Sequence, residues 1–168
     1  VFGYYDHNML VMSERISDHL PKTEKYIPKQ RLWYIRAKEV IISSGSIERP
    51  LVFGNNDTPG VMLSSAAKEY LKIYGVLVGK KPLIFTNNDS AYETAIEFKK
   101  NGISPIILDT RINPDSEIIK EAINMGITIK FSHVVVAAKG YKKVKYAEIS
   151  KISEDKKDLG KIENINCD

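Results

Sequence analysis

The stretch KKPLIFTNNDSAYETAIEFKKNGISPIILDT, Lys80 to Thr110, constrains the fold more than any other part of the chain. Pro82 to Phe85 is an apolar run of strand length, and an amphipathic helix is predicted over residues 90–101. Gly102 supplies the helix stop, and a second apolar strand over 104–109 ends in an acid, Asp109. This is the outline of the first half of a dinucleotide-binding unit. Such a unit normally turns from strand to helix through glycines, so that backbone N–H groups can touch a pyrophosphate. Here the turn is Thr86-Asn87-Asn88-Asp89-Ser90 and contains no glycine.

Local chemistry accounts for that turn without a ligand. Ser90 and Glu93 have the spacing of a capping box, in which the serine hydroxyl accepts from the Glu93 N–H and the Glu93 side chain reaches back. Asp89 complements the helix dipole from the place a phosphate would take, and its carboxylate repels one. Asp109 resembles the acid that holds a ribose hydroxyl, but its partner turn is missing. The shape of a nucleotide unit is therefore expected without its ligand.

The remaining segments extend this α/β pattern. Val1 to Tyr5, Asn8 to Ile16 and Gln30 to Gly45 are β-rich, and they read as a small antiparallel meander feeding one strand at Val40-Ile41-Ile42. The unbroken apolar run predicts that this last strand is buried on both faces. Residues 45–60 are rich in turn formers. Val61 to Tyr74 is predicted helical, with Val61, Ser65, Tyr70 and Ile73 on one face and Gly75 and Gly79 as stops. Asn113 to Ser116 opens a further helix that Gly126 closes. Strands follow at 127–131 and 133–138, then a hairpin through Gly140 to Lys142–Ser150, a charged turn over 151–161, and a strand from Ile162. Strand and helix alternate around a parallel sheet.

The 168 residues suit one domain or parts of two, and 43% hydrophobic with 27% charged residues is ordinary globular composition. The net charge of +4 is spread along the chain rather than blocked, which argues against a nucleic-acid partner. No apolar stretch approaches the ~20 residues that span a bilayer, so no membrane association is expected. The single cysteine, Cys167, suits a reducing, cytoplasmic compartment. His7, His19 and His133 are dispersed and offer no metal-ligand spacing. Ser43, Ser44 and Ser46 lack the pattern around a nucleophilic serine. Gly45 ends the run VIISSG, where either a close approach to a cofactor or a tight strand exit accounts for it.

In order along the chain, VFGYYDHN, RLWYIRAKEVIISSGSIERPLVFGNNDTPGVMLSSA, FTNNDSAY and INCD resemble the alpha subunit of heterotetrameric sarcosine oxidase. The resemblance covers essentially the whole chain, with SGSIERPLVFGNNDTPGVML as its most specific block. It implies an internal piece of a longer subunit, built from parts of two Rossmann-like domains of the flavoprotein-reductase kind with an antiparallel β-meander insert. Residues 1–60 would complete a first, NAD-binding domain. Residues 61–168 would be a second such domain without a ligand of its own.

The family oxidises sarcosine to glycine with hydrogen peroxide, and the one-carbon unit leaves as formaldehyde or passes to tetrahydrofolate. The resemblance implies NAD on alpha, FAD and the sarcosine site on beta, an FMN between alpha and beta, and gamma and delta as further partners. Matched to the family's pattern, Val1 falls on the strand residue that meets the adenine. Ser43, Ser44 and Gly45 fall on the small-residue strand end that closes over the dinucleotide. No catalytic residue of amine oxidation maps onto this chain. Opine oxidase, proline dehydrogenase and hydrogen cyanide synthase have similar large subunits, and a non-catalytic scaffold is the reading from another class.

Overall fold

The computed structural model describes residues 1–22, 24–153, 155 and 158–168. The chain divides between Ser46 and Ile47 into two compact units. The first holds an antiparallel meander of β1 (Gly3–Tyr5), β2 (Met9–Arg15) and β3 (Gln30–Arg36), in that spatial order. Its register places Val11 between Gly3 and Tyr34, and Val11 is the buried residue of this sheet.

The second unit starts from a parallel sheet of β4 (Leu83–Thr86), β5 (Ile106–Asp109) and β6 (Thr128–Phe131), in sequence order. Side chains alternate across each strand. Ile84 and Ile107 face α1 (Ser64–Tyr74), α2 (Ser90–Lys100) and α3 (Glu117–Asn124), where they join Tyr92, Ala95, Phe98 and Ile119 in one core. Leu83, Phe85, Ile106 and Leu108 face the other way. They pack against a second sheet of β7 (His133–Gly140), β8 (Val144–Ile152) and β9 (Leu159–Asn166), whose inward residues include Val135, Ala147 and Ile149. This sheet is antiparallel throughout. The architecture is thus three layers, with helices and an antiparallel sheet on either side of a parallel sheet. The α/β fold expected from strand–helix alternation is present.

Helix stops fall at the glycines expected to supply them. Gly75 takes the left-handed conformation after α1, and its N–H and that of Val76 bond back to the Leu71 and Tyr70 carbonyls. Gly102 and Gly126 take positive φ after α2 and α3. The charged turn expected over 151–161 lies partly outside the described residues.

Two expectations need correction. Val40, Ile41 and Ile42 form no strand, and Ile41 is 90% exposed, because no described strand of the chain lies beside the run to accept its hydrogen bonds. On α1 the packed face is Ala67 and Leu71, whereas Tyr70 and Ile73 are exposed. The small Ala67 side chain lets α2 approach closely, and the helical spacing of larger apolar residues did not reveal that preference. Residues 47–60 fall in the second compact unit. The reason is a backbone seam: the Gly54 N–H donates to Val136 O at 2.9 Å, the Ala138 N–H donates to Gly54 O at 2.9 Å, and Val144 N–H donates to Pro59 O at 2.9 Å.

Candidate functional site

In open parallel sheets ligands bind beyond the carboxyl ends of the strands. Here that edge is formed by Thr86, the turn 87–89 and the exit of β5 at Asp109. Thr86 is buried, and its hydroxyl both accepts from the Asn88 N–H at 3.2 Å and bonds to Asn88 O at 2.9 Å. Asn88 Oδ1 then accepts from the Ser90 N–H at 2.9 Å and from the Ser90 hydroxyl at 2.7 Å. Side chains therefore satisfy two of the N–H groups that a pyrophosphate would need. The expected capping box is replaced by this shorter-range turn, and the Glu93 carboxylate goes to Lys68 on α1.

Across the strand end lies an ionic joint. Asp109 is fully buried and accepts from the Tyr92 hydroxyl at 2.7 Å. The Arg111 backbone N–H donates to Asp109 Oδ1 at 2.9 Å, and the guanidinium grips both carboxylate oxygens, with Nη2 2.7 Å from Oδ2. The same guanidinium extends Nη1 to within 2.8 Å of Asp89 Oδ1, an ion pair. Arg111 thus ties the exit of β5 to the turn before α2.

The hydrogen bond to Asp109 is the chief influence that pushes the Arg111 group above its ordinary value. Burial first, and then the bond to Asp109, push Tyr92 upward. The Arg111 bond holds the Asp89 carboxyl below the usual range. Two carboxylates against one guanidinium leave the joint with one negative charge. A pyrophosphate at this edge would meet that charge with its usual donors already engaged. The Asp109 carboxylate, which resembles a ribose-holding acid in sequence, is held by the chain itself.

Among the described residues, other chemical groups do not converge. A concavity of 320 Å³ lies at the opposite end of the sheet, lined by Lys80, Lys81, Leu83, Ser104 and Ile165, and a second of 220 Å³ lies on the helical side. Cys167 is buried, and burial first and the Asp168 charge second push its thiol upward, away from reactive thiolate. Among the described residues no group of three metal-ligating side chains comes together. No described helix is long and apolar enough to cross a membrane.

The residues matched to an adenine and dinucleotide contact lie in the first unit. Val1 is 80% exposed and precedes β1, and the Phe2 N–H is tied to Val11 O. Ser43, Ser44 and Gly45 form an exposed segment outside any strand, with Gly45 at φ +69° and open space around it. Among the described residues no hydrogen bond joins Val1 to Ser43, Ser44 or Gly45. Sequence reading passed over Arg111 and Tyr92, although a basic residue two positions beyond a strand-end acid was a usable signal.

It also passed over Glu48. Its carboxylate accepts from the Ser64 and Ser65 N–H groups at 3.1 and 2.8 Å and from the Ser64 hydroxyl, which caps α1 from a distance along the chain. Burial alone would raise the Glu48 carboxyl, but the Ser65 and Ser64 donors hold it below its ordinary value.

Comparison with known proteins gives two kinds of likeness. The chain is 39% identical over 132 residues to the sarcosine oxidase subunit alpha of Rhizobium meliloti (strain 1021), a match covering 74% of this chain and 13% of that subunit. It is 33% identical, across its whole length, to the sarcosine oxidase subunit alpha of Corynebacterium sp. (strain P-1), covering 18% of that subunit. The chain therefore spans less than a fifth of the relatives it matches. Among solved structures, thioredoxin reductase of T. acidophilum superposes with a TM-score of 0.60 at 15% identity, over 83% of this chain and 45% of that one. A thioredoxin reductase from Gloeobacter violaceus superposes at 0.52 and 11% identity, over 80% and 40%. At those identities the likeness concerns the fold alone, which is that of part of a thioredoxin reductase. No family model matches the chain.

Proposed function

Along its whole length the chain is a relative of one segment of the sarcosine oxidase alpha subunits, and on that premise we propose that it works as the dinucleotide-domain part of an amine-oxidising flavoenzyme complex. The single observation that carries this reading is the relatedness across the entire chain. The reductase-like fold supports it. In this proposal the complete protein joins beta, gamma and delta subunits and demethylates sarcosine oxidatively to glycine. Hydrogen peroxide is released with formaldehyde or 5,10-methylenetetrahydrofolate. FAD and FMN would supply the redox chemistry in the complex, with sarcosine held on beta, and this chain's residues would hold NAD rather than substrate.

The two units take different parts in that proposal. In the first, Ser43, Ser44 and Gly45 are small, and their backbone runs outside any strand. Gly45 holds a positive φ that larger residues resist. Those features fit a backbone lying close to a dinucleotide, with Val1 at its adenine. The second unit does not fit one. Its strand-end edge carries Asp89 in the phosphate position, and Arg111 is spent on Asp109. We therefore assign it no dinucleotide of its own.

The test is to co-express the full-length protein with its partner subunits. Oxygen uptake with sarcosine and NAD released on denaturation support the reading. A complex that consumes no oxygen with sarcosine and carries no NAD overturns it. Turnover on a panel of secondary amines separates sarcosine from the substrates of opine oxidase, proline dehydrogenase and hydrogen cyanide synthase. An assembled complex that turns over no amine points to the scaffold.

A further inference from the structure

The parallel sheet of the second unit ends on an uncovered strand that the site above does not use. β4 is an edge strand, hydrogen-bonded to β5 on one side only. The Ile106 N–H donates to Pro82 O and the Thr110 N–H to Thr86 O, so the even-numbered residues of β4 turn their backbone groups toward β5. Leu83 and Phe85 turn theirs outward, and among the described residues those groups have no hydrogen-bond partner. The other edge, β6, is blunted by Lys130, whose ammonium pairs with Glu163 at 3.4 Å. The β4 sequence, Leu83-Ile84-Phe85-Thr86, holds no charge and no proline to discourage pairing.

The helix layer continues past that edge. α2 packs between α1 and α3, and α3 connects β5 to β6, so α1 stands on the β4 side. α1 leans on α2 through Ala67 and Leu71, while its Tyr70, Ile73 and Tyr74 stay exposed. A further strand beside β4 would lie beneath that helix. The chain itself reaches the same edge. The Asp168 N–H donates to Lys81 O at 3.3 Å, and Asp168 Oδ1 accepts from the Lys80 and Lys81 N–H groups at 2.8 and 2.7 Å. A Cβ on Gly79 would lie 2.8 Å from Asp168 O, so glycine clears this seat. The contact sits at the start of β4, so a chain continuing from Asp168 along the edge runs parallel to it.

We propose that the edge of β4 seats a fourth parallel strand, formed by the segment that follows Asp168 in the full-length protein. This rests on the reading of the chain as one segment of a longer subunit, less than a fifth of the relatives it matches. Helices cover one face of the sheet and the antiparallel sheet covers the other. The added strand is therefore buried on both faces, and its sequence is a continuous apolar run rather than an alternating one. By the register that Asp168 sets, the second residue of the segment donates to Leu83 O and accepts from the Phe85 N–H.

Amide hydrogen exchange of the full-length protein tests this. The expected result is exchange at Leu83 and Phe85 slowed about a hundredfold or more below the unstructured-chain rate, and unchanged on dilution. A proline at the second residue after Asp168 removes one donor. It should speed exchange at both positions about tenfold or more, while Leu108 and Ile149 stay protected. Fast exchange at Leu83 and Phe85 in the unmodified protein overturns the proposal. Protection indifferent to the proline reassigns the edge to another segment or subunit and overturns it. Protection lost on dilution reassigns it to a second copy and overturns it too. Where the proline variant fails to fold, a cryo-electron microscopy map of the unmodified protein decides. The segment after Asp168 lying alongside β4 supports the strand, and its absence there overturns it. Sarcosine turnover by the same preparation tests the proposed function separately, so either reading can fail alone.

Discussion

Tyr92 reaches Asp109 from α2, and Arg111 reaches it from the strand's own exit. A carboxylate with no exposure can remain charged only if such donors surround it. Replacing Arg111 with Met strands that carboxylate, and an expected loss of about 3–5 kcal/mol of unfolding free energy is measurable by urea titration. Tyr92→Phe removes one donor and leaves the guanidinium in place. Its expected cost is smaller, about 1.5 kcal/mol. Equal losses for the two variants would contradict the account of Arg111 as the tie.

Glu48 gives a pH signature. Its carboxyl is depressed in the folded state, so its contribution is fully present above the ordinary value of 4.5 and fades as pH falls through the folded value. Glu48→Gln should cost about 1 kcal/mol near neutrality and flatten the stability profile below pH 4.5, as read from melting temperatures across pH. These partnerships were only faintly legible in sequence. Asp109 and Arg111 are two residues apart, a spacing that hints at a pair but does not show that the guanidinium also reaches Asp89. Glu48 and Ser64 are joined only by the fold. The Ser90–Glu93 spacing did resemble a cap, but the amide of Asn88, nearer along the chain, took the serine first.

Elements were more legible than partnerships, because glycines and apolar periodicity are local signals. The β4–α2–β5 unit and the helix stops at Gly75, Gly102 and Gly126 lie where those signals place them. Packing faces were less so, since Ala67 contributes by being small. The block FGNNDTPGV, distinctive as sequence, has a structural explanation in the second unit. Phe53 stacks edge-on to Phe85 with centroids 6.0 Å apart, and Asn55 donates to Ala138 O. Gly54 runs beside β7 so closely that an added Cβ would meet Ala137 Cβ at 3.1 Å and Val136 O at 3.2 Å. Gly54→Ala is therefore expected to destabilise by about 1–3 kcal/mol and to raise amide exchange at Ala138. A neutral melting temperature would show that the seam can give way.

At the scale of the whole molecule, the run Val40-Ile41-Ile42 marks where sequence reading went astray. An apolar run predicts burial but cannot say what supplies the neighbouring strands. With Ile41 and Ile42 exposed at 90% and 72%, residues 1–168 alone are expected to bind a hydrophobic dye and self-associate. Light scattering checks this, and lysine at both positions should lower it. The second unit has the opposite character. A fold that depends on a ligand gains stability by mass action, roughly 2.7 kcal/mol when the ligand stands at a hundred times its dissociation constant. The Asp89–Arg111–Asp109 joint builds that stabilisation into the chain, at a fixed local concentration that no metabolic state can dilute. On the proposal that the second unit holds no dinucleotide, its stability is expected to be indifferent to nucleotide supply, and a melting temperature unchanged by added NAD checks this.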